Sequence, residues 1–184
     1  MKKLLCVMVV LLACANVTMA QNDFHFKTFL ELMNFQAKGK SLDYYHGLAN
    51  KAGLDLIYDT NESGEIYYVF SKGVSYKKGH MTETYTKLAD SPKLLNFDLT
   101  ENKPGKYTPI TITLIFPDRD AQQRFRNEGM KMGCKVNNNI YSTDIDPTWS
   151  NVDGITYALF AGAHSWRYIY FYEKDDMYMC TFLF

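Results

Sequence analysis

The segment WRYIYFYEKDDMYMCTFLF, residues 166–184, constrains the fold more than any other part of the chain. Two runs rich in aromatic and β-branched residues flank the acidic EKDD at 173–176, which reads as a hairpin turn between two strands. Successive strand residues point to opposite faces of a sheet. Trp166, Tyr168, Tyr170 and Tyr172 therefore share one face, and Ile169 and Phe171 lie on the other. Both faces are largely apolar, so this strand is expected to be covered, wholly or in part, on both sides.

The rest of the chain supplies more strands and a few helices. YTPITITLIF at 107–116 alternates most clearly, with Ile110, Ile112, Leu114 and Phe116 on one side and Thr111, Thr113 and Ile115 on the other. Pro109 cannot donate to a ladder, which suggests an edge or a strand beginning. LDLIYD, EIYYVFS, VSYKK and MTETYTKL read as shorter β segments between residues 54 and 88. Turn signals at 61–64, at Gly73, at Gly79 and at Asn102-Lys103-Pro104-Gly105 separate the β segments. VNNNIYST, the polar loop DIDPTWSNVDG and GITYALFAGA follow later.

Three helices are expected. Residues 24–37 place Phe26, Phe29, Leu30, Met33 and Ala37 on one apolar stripe. Ser41 is placed to cap a second helix over 42–52, ending in Lys51 and Gly53. Asp118 is placed to cap a third, running to about Met132, which Gly129 weakens by about 1 kcal/mol relative to Ala. The fold class that follows is α+β: a twisted antiparallel sheet with two to three helices packed on one face. A tandem helix-plus-sheet repeat is an additional expectation. Lys51-Ala52-Gly53-Leu54 and Lys131-Met132-Gly133-Cys134 each close a helix before a run of strands, which divides the chain into 24–105 and 106–184.

The first residues address the chain's location. Lys2 and Lys3 precede an apolar run over 4–13, too short to cross a hydrocarbon core that needs about 20 helical residues. A small-residue exit follows, giving the pattern of a secretory signal peptide over 1–20. Cleavage after Ala20 leaves a single domain, 21–184, in a bacterial periplasm or secreted. The alternative is lipidation at Cys14, within Leu11-Leu12-Ala13-Cys14, which would tether the protein to a membrane. Later segments hold no apolar run long enough for a transmembrane helix. Lys2 and Lys3 belong to the signal, so the remainder carries a slight acidic excess, unlike a nucleic-acid-binding chain. Cys134 and Cys180 remain after cleavage, either as a disulfide or as two buried thiols.

Compact catalytic motifs are missing from the sequence. There is no G-x-S-x-G elbow, and His164 beside Ser165 would point to opposite sides of a strand. His25, His46, His80 and His164 show no metal-ligand spacing. Asp144, Asp146, Asn151 and Asp153 supply oxygen ligands, but Pro147 interrupts them and no bidentate Glu follows as in an EF-hand. Pro104-Gly105-Lys106 mimics a P-loop tail yet leads into a strand. No cofactor or metal is expected.

The one compositional excess is aromatic: 14 Tyr, 12 Phe and 2 Trp. Tyr and Trp suit binding surfaces because they join contact area to a polar tip. The same residues also fill β-rich cores. The expected function is a non-enzymatic binding or accessory module of the bacterial envelope. It would engage a protein or glycan through Trp149, Trp166, Tyr168, Tyr170 and Tyr172 or through the 144–154 loop. The alternative is a small secreted hydrolase or carbohydrate-active enzyme with dispersed carboxylates.

Overall fold

Ten strands and three helices are seen in a computed structural model that describes residues 23–32, 39–62, 65–80, 82–137, 150–158 and 166–183. The helices are α1 (Phe26–Leu32), α2 (Leu42–Lys51) and α3 (Arg119–Lys131). The strands are β1 (Asp55–Glu62), β2 (Glu65–Lys72), β3 (Val74–Lys78), β4 (Glu83–Lys87), β5 (Lys93–Lys103), β6 (Lys106–Phe116), β7 (Lys135–Asn137), β8 (Ser150–Ala158), β9 (Trp166–Lys174) and β10 (Met177–Leu183). Eight strands form one antiparallel sheet in the order β1-β2-β5-β6-β10-β9-β8-β7, and β3 with β4 form a separate two-stranded sheet. The fold is broadly α+β, with the sheet dominant.

The helices cover one face. Phe26, Phe29 and Leu32 of α1, Tyr45 and Ala49 of α2, and Ala121 and Phe125 of α3 join Phe97, Leu114, Phe171, Cys180 and Phe182 in one buried cluster. Phe125 is its centre, with ring centroids 5.2 Å from Phe26, 5.7 Å from Phe29 and 5.2 Å from Phe116. Gly129 makes this packing fit. A Cβ there would lie 2.8 Å from a Phe26 ring carbon, so the residue that weakens the helix lets α1 approach it.

Where the helices begin and end depends on local chemistry. Asp118 accepts from the Ala121 amide at 2.7 Å, capping α3 as the sequence suggests. Ser41 is extended at the cap position of α2 but makes no side-chain cap bond. Gly53 and Gly133 adopt positive φ, and the next residue in each case donates back to the helix: Leu54 to the Ala49 carbonyl and Cys134 to the Gly129 carbonyl, both at 3.1 Å. The expected first helix is seen over Phe26–Leu32, while Met33 and Ala37 lie outside the described residues.

Three features add to the sequence reading. Residues 93–103 form a long central strand, β5, that the turn signals around it obscured. Pro109 lies near the start of β6, opposite Leu99 of β5 and before the pairing with β10 begins at Thr111. A register shift between Asp98 and Leu99, opposite Pro109, accommodates the missing donor. The face away from the helices is also covered, by the β3–β4 hairpin. Val74 of that hairpin packs with Val69, Leu94, Ile115, Tyr170, Tyr172, Met177 and Met179. This second layer explains why both faces of β9 and β10 are apolar.

Candidate functional site

Cross-strand register organises the hairpin-side face into rows. One row runs Ser71, Leu94, Ile115, Met179, Tyr172 from β2 to β9. The next runs Val69, Asn96, Thr113, Thr181, Tyr170. All ten residues are buried. The third row is Tyr67, Asp98, Thr111, Leu183, Tyr168. Here the cover ends: Leu183 and Tyr168, directly opposite each other, are 41 % and 40 % exposed. The face thus passes from core to surface along β9, and the Tyr168 ring stacks on Tyr170 at 6.2 Å and 13°.

The expected aromatic face therefore divides. Tyr168 is exposed, whereas Tyr170 at 7 % and Tyr172 at 3 % form part of the core beneath the hairpin. The Tyr172 hydroxyl lies 3.0 Å from Thr181 Oγ1, which lies 3.2 Å from Thr113 Oγ1, so its polar tip is satisfied inside. Trp166 belongs to β9 opposite Ala158, but its side chain lies outside the described set, as does all of Trp149.

The polar end of the row sits where the hairpin meets β2 and β5. Glu83 of β4 is the hub. Its carboxylate accepts from the Tyr76 hydroxyl at 2.9 Å, the Tyr85 hydroxyl at 2.6 Å and Asn96 Nδ2 at 3.1 Å. Burial, and then the Glu83 charge, hold both tyrosine hydroxyls well above their ordinary range, which keeps them donors. Lys78 Nζ lies 3.7 Å from Glu83 and 3.3 Å from the Tyr67 ring centroid, a cation–π contact. The Tyr67 hydroxyl donates to Glu65 at 2.6 Å.

Asp98 stands among these groups without a full complement of partners. Its Oδ1 is buried with no hydrogen bond, and so is Oδ1 of Asn96. Burial lifts the Asp98 carboxyl to about 6, with Glu65 and Glu83 adding to the rise and Lys78 opposing it. The sequence reading gave no functional role to Asp98, Thr111, Leu183 or Glu83. The signal was present in LLNFDLT, where Leu95, Phe97 and Leu99 alternate with Asn96, Asp98 and Thr100.

Other candidates are spread elsewhere. Cys134 and Cys180 are free buried thiols in the helix-side core. Burial raises the Cys134 thiol to about 11, which disfavours a reactive thiolate. Cys14 lies outside the described residues. His46 packs edge-on against Tyr68 and Phe70, and His25 sits 3.3 Å from Glu128. Among the described residues no three His, Cys, Asp or Glu side chains converge as a metal site. Asp144 and Asp146 lie outside the described set, and Asp153 pairs with Arg126 at 2.6 Å. That pair and Arg119–Glu173 line a shallow cleft beside α3, where each arginine meets a carboxylate. Comparison with protein-family models, with curated proteins and with solved structures finds no match for this chain.

Proposed function

We propose that this protein is an exported, non-enzymatic binding module of the bacterial envelope, and that its working surface is the open end of the hairpin-side face. The observation that carries this reading is the pairing of Tyr168 with Leu183. Both are about two-fifths exposed on central strands, on a face whose neighbouring rows are sealed. Central strands are rigid, so an exposed aromatic–aliphatic pair there offers contact area at low entropic cost. Leu183 favours a protein surface over a glycan, since an aliphatic side chain offers nothing to sugar hydroxyls. Thr111 and Asp98 extend the same row and would meet polar or basic groups of that partner.

The test compares wild type with Tyr168→Ala and Leu183→Ala, each starting at Gln21, in capture from envelope extracts and against a glycan array. A partner held by wild type and weakened at least about thirtyfold by Tyr168→Ala, with thermal stability unchanged, supports the reading. Equal capture by wild type and variant removes Tyr168 from the site. Binding confined to glycans replaces the protein partner with a sugar ligand. The alternative of a small hydrolase would draw on the raised carboxyl of Asp98. Its neighbours Glu65 and Glu83 already serve as acceptors for Tyr67 and for Tyr76, Tyr85 and Asn96, which favours a structural use of this corner.

We further propose that the chain is a tandem duplication. A helix and a four-strand meander occur twice, α2 with β1, β2, β5 and β6, then α3 with β7 to β10, and the last strands of the two sets pair. The matching helix caps at Gly53 and Gly133 support this. On this reading the boundary lies after Phe116 rather than after Gly105, and the β3–β4 hairpin is an insertion in the first unit. Export after Ala20 is read from the leader alone. An intact native mass starting at Gln21 would support it, and a diacylated or triacylated mass starting at Cys14 would replace it with a tethered lipoprotein.

A further inference from the structure

The β3–β4 hairpin is attached differently from the other described strands. It forms its own two-stranded sheet and lies across the eight-stranded one. Its two ends are drawn together by the Leu88 amide donating to the Gly73 carbonyl at 2.9 Å. At its root the Ser71 hydroxyl donates to the Val74 carbonyl at 2.8 Å and accepts from the Val74 amide at 3.0 Å. Beyond that, side chains hold it: Val74, Tyr76 and Tyr85 by packing, and Glu83 by accepting from Asn96 of the sheet. A layer fastened in this way can lift without breaking a β ladder.

Seating the hairpin has an electrostatic consequence. Asp98 on β5 faces Glu65 and Tyr67 on β2, Lys78 on β3 and Glu83 on β4. The hairpin brings one positive and one negative charge to it. Lys78 is already engaged with Glu83 and the Tyr67 ring, and Asp98 Oδ1 is left buried with no donor. An ionised carboxylate in that position leaves Oδ1 dehydrated with no donor, whereas a protonated one loses much less.

We propose that the hairpin is a proton-sensitive strap, which seats firmly on the sheet when Asp98 is protonated and loosens when Asp98 is ionised. The sign follows from linkage. The seated state holds the Asp98 proton more tightly than an open, hydrated state does, since its carboxyl is raised from 3.8 to about 6. Seating is therefore favoured as pH falls from about 6 toward 3.8, and the ionised group opposes it fully above about 6. The inference shares Asp98 with the binding reading but does not rest on it, because it concerns only the closure of the layer over the sheet.

The experiment is amide hydrogen exchange on the full mature chain at pH 5 and pH 7.5, corrected for intrinsic exchange rates. Protection of the β3 and β4 amides should fall on the order of tenfold at the higher pH, while the β9 and β10 amides serve as internal reference. Asp98→Asn should keep the hairpin protected at both pH values. Hairpin protection independent of pH in wild type overturns the proposal without reference to any variant. A pH response that persists in Asp98→Asn and disappears in Glu83→Gln moves the switch to Glu83 and also overturns it. A response shared equally by β9 and β10 reports global stability and overturns the strap.

Discussion

Gly129 shows how one residue can carry opposite meanings in sequence and in structure. Helix propensity alone says that Ala at this position would stabilise α3 by about 1 kcal/mol. The Phe26 ring occupies the space where the new methyl would go, 2.8 Å from the nearest carbon. Overpacking of this kind costs about 1–3 kcal/mol, so Gly129→Ala should lower the unfolding free energy in a urea titration. An increase would mean that α1 can withdraw from α3 without penalty. Asp98 and Tyr168 make the same point for function. Asp98 is an ordinary strand residue in the sequence and Tyr168 one of five aromatic candidates, and the roles proposed for them depend on the side chains placed around each by strand register and by the β3–β4 hairpin.

At the scale of elements, the helix caps separate signals that carry energy from signals that only mark a boundary. Asp118 accepts from the Ala121 amide, whereas Ser41 occupies the equivalent position of α2 without a cap bond. Asp118→Ala should therefore cost about 1 kcal/mol, and Ser41→Ala should cost little, when both are measured by thermal unfolding. Equal costs would show that Ser41 caps α2 in solution. The strands were legible in proportion to their alternation. YTPITITLIF and the hairpin at 166–183 could be read directly, and both match β6, β9 and β10. β5 was missed because its inward residues on the hairpin side include Asn96 and Asp98, which belong to turns on composition alone. Only the hydrogen bonds from Asn96 to Glu83 and Tyr85 make a buried asparagine acceptable there.

The two halves of the large sheet meet at one seam. β6 and β10 pair along Thr111–Phe116 and Tyr178–Leu183, and the strand order is symmetric about that line. A fragment ending at Pro117 would expose one edge of β6, and a fragment starting at Asp118 would expose one edge of β10. Each half should remain poorly structured alone, because Ile112, Leu114, Cys180 and Phe182 bury one another across the seam. Mixing the two should restore native near-ultraviolet circular dichroism at a one-to-one ratio. A half that folds cooperatively by itself would show that the two units are separate domains.

The sequence by itself determined where most strands and helices run, that the sheet is antiparallel, and that β9 is covered, wholly or in part, on both faces. Those properties depend on local alternation, helical spacing and capping chemistry, which neighbours in the chain decide among themselves. Tertiary structure alone decided that the cover on the face opposite the helices is the β3–β4 hairpin. It also decided that β5 lies at the centre, that the cysteines stay apart as thiols, and that the aromatic face opens at Tyr168 and not at Tyr170. These outcomes depend on which distant residues meet. The hairpin covers the third row only at its β2 end, where Lys78 lies over Tyr67, so burial stops before Leu183 and Tyr168, and no property of the Tyr168 segment could state where that cover would stop.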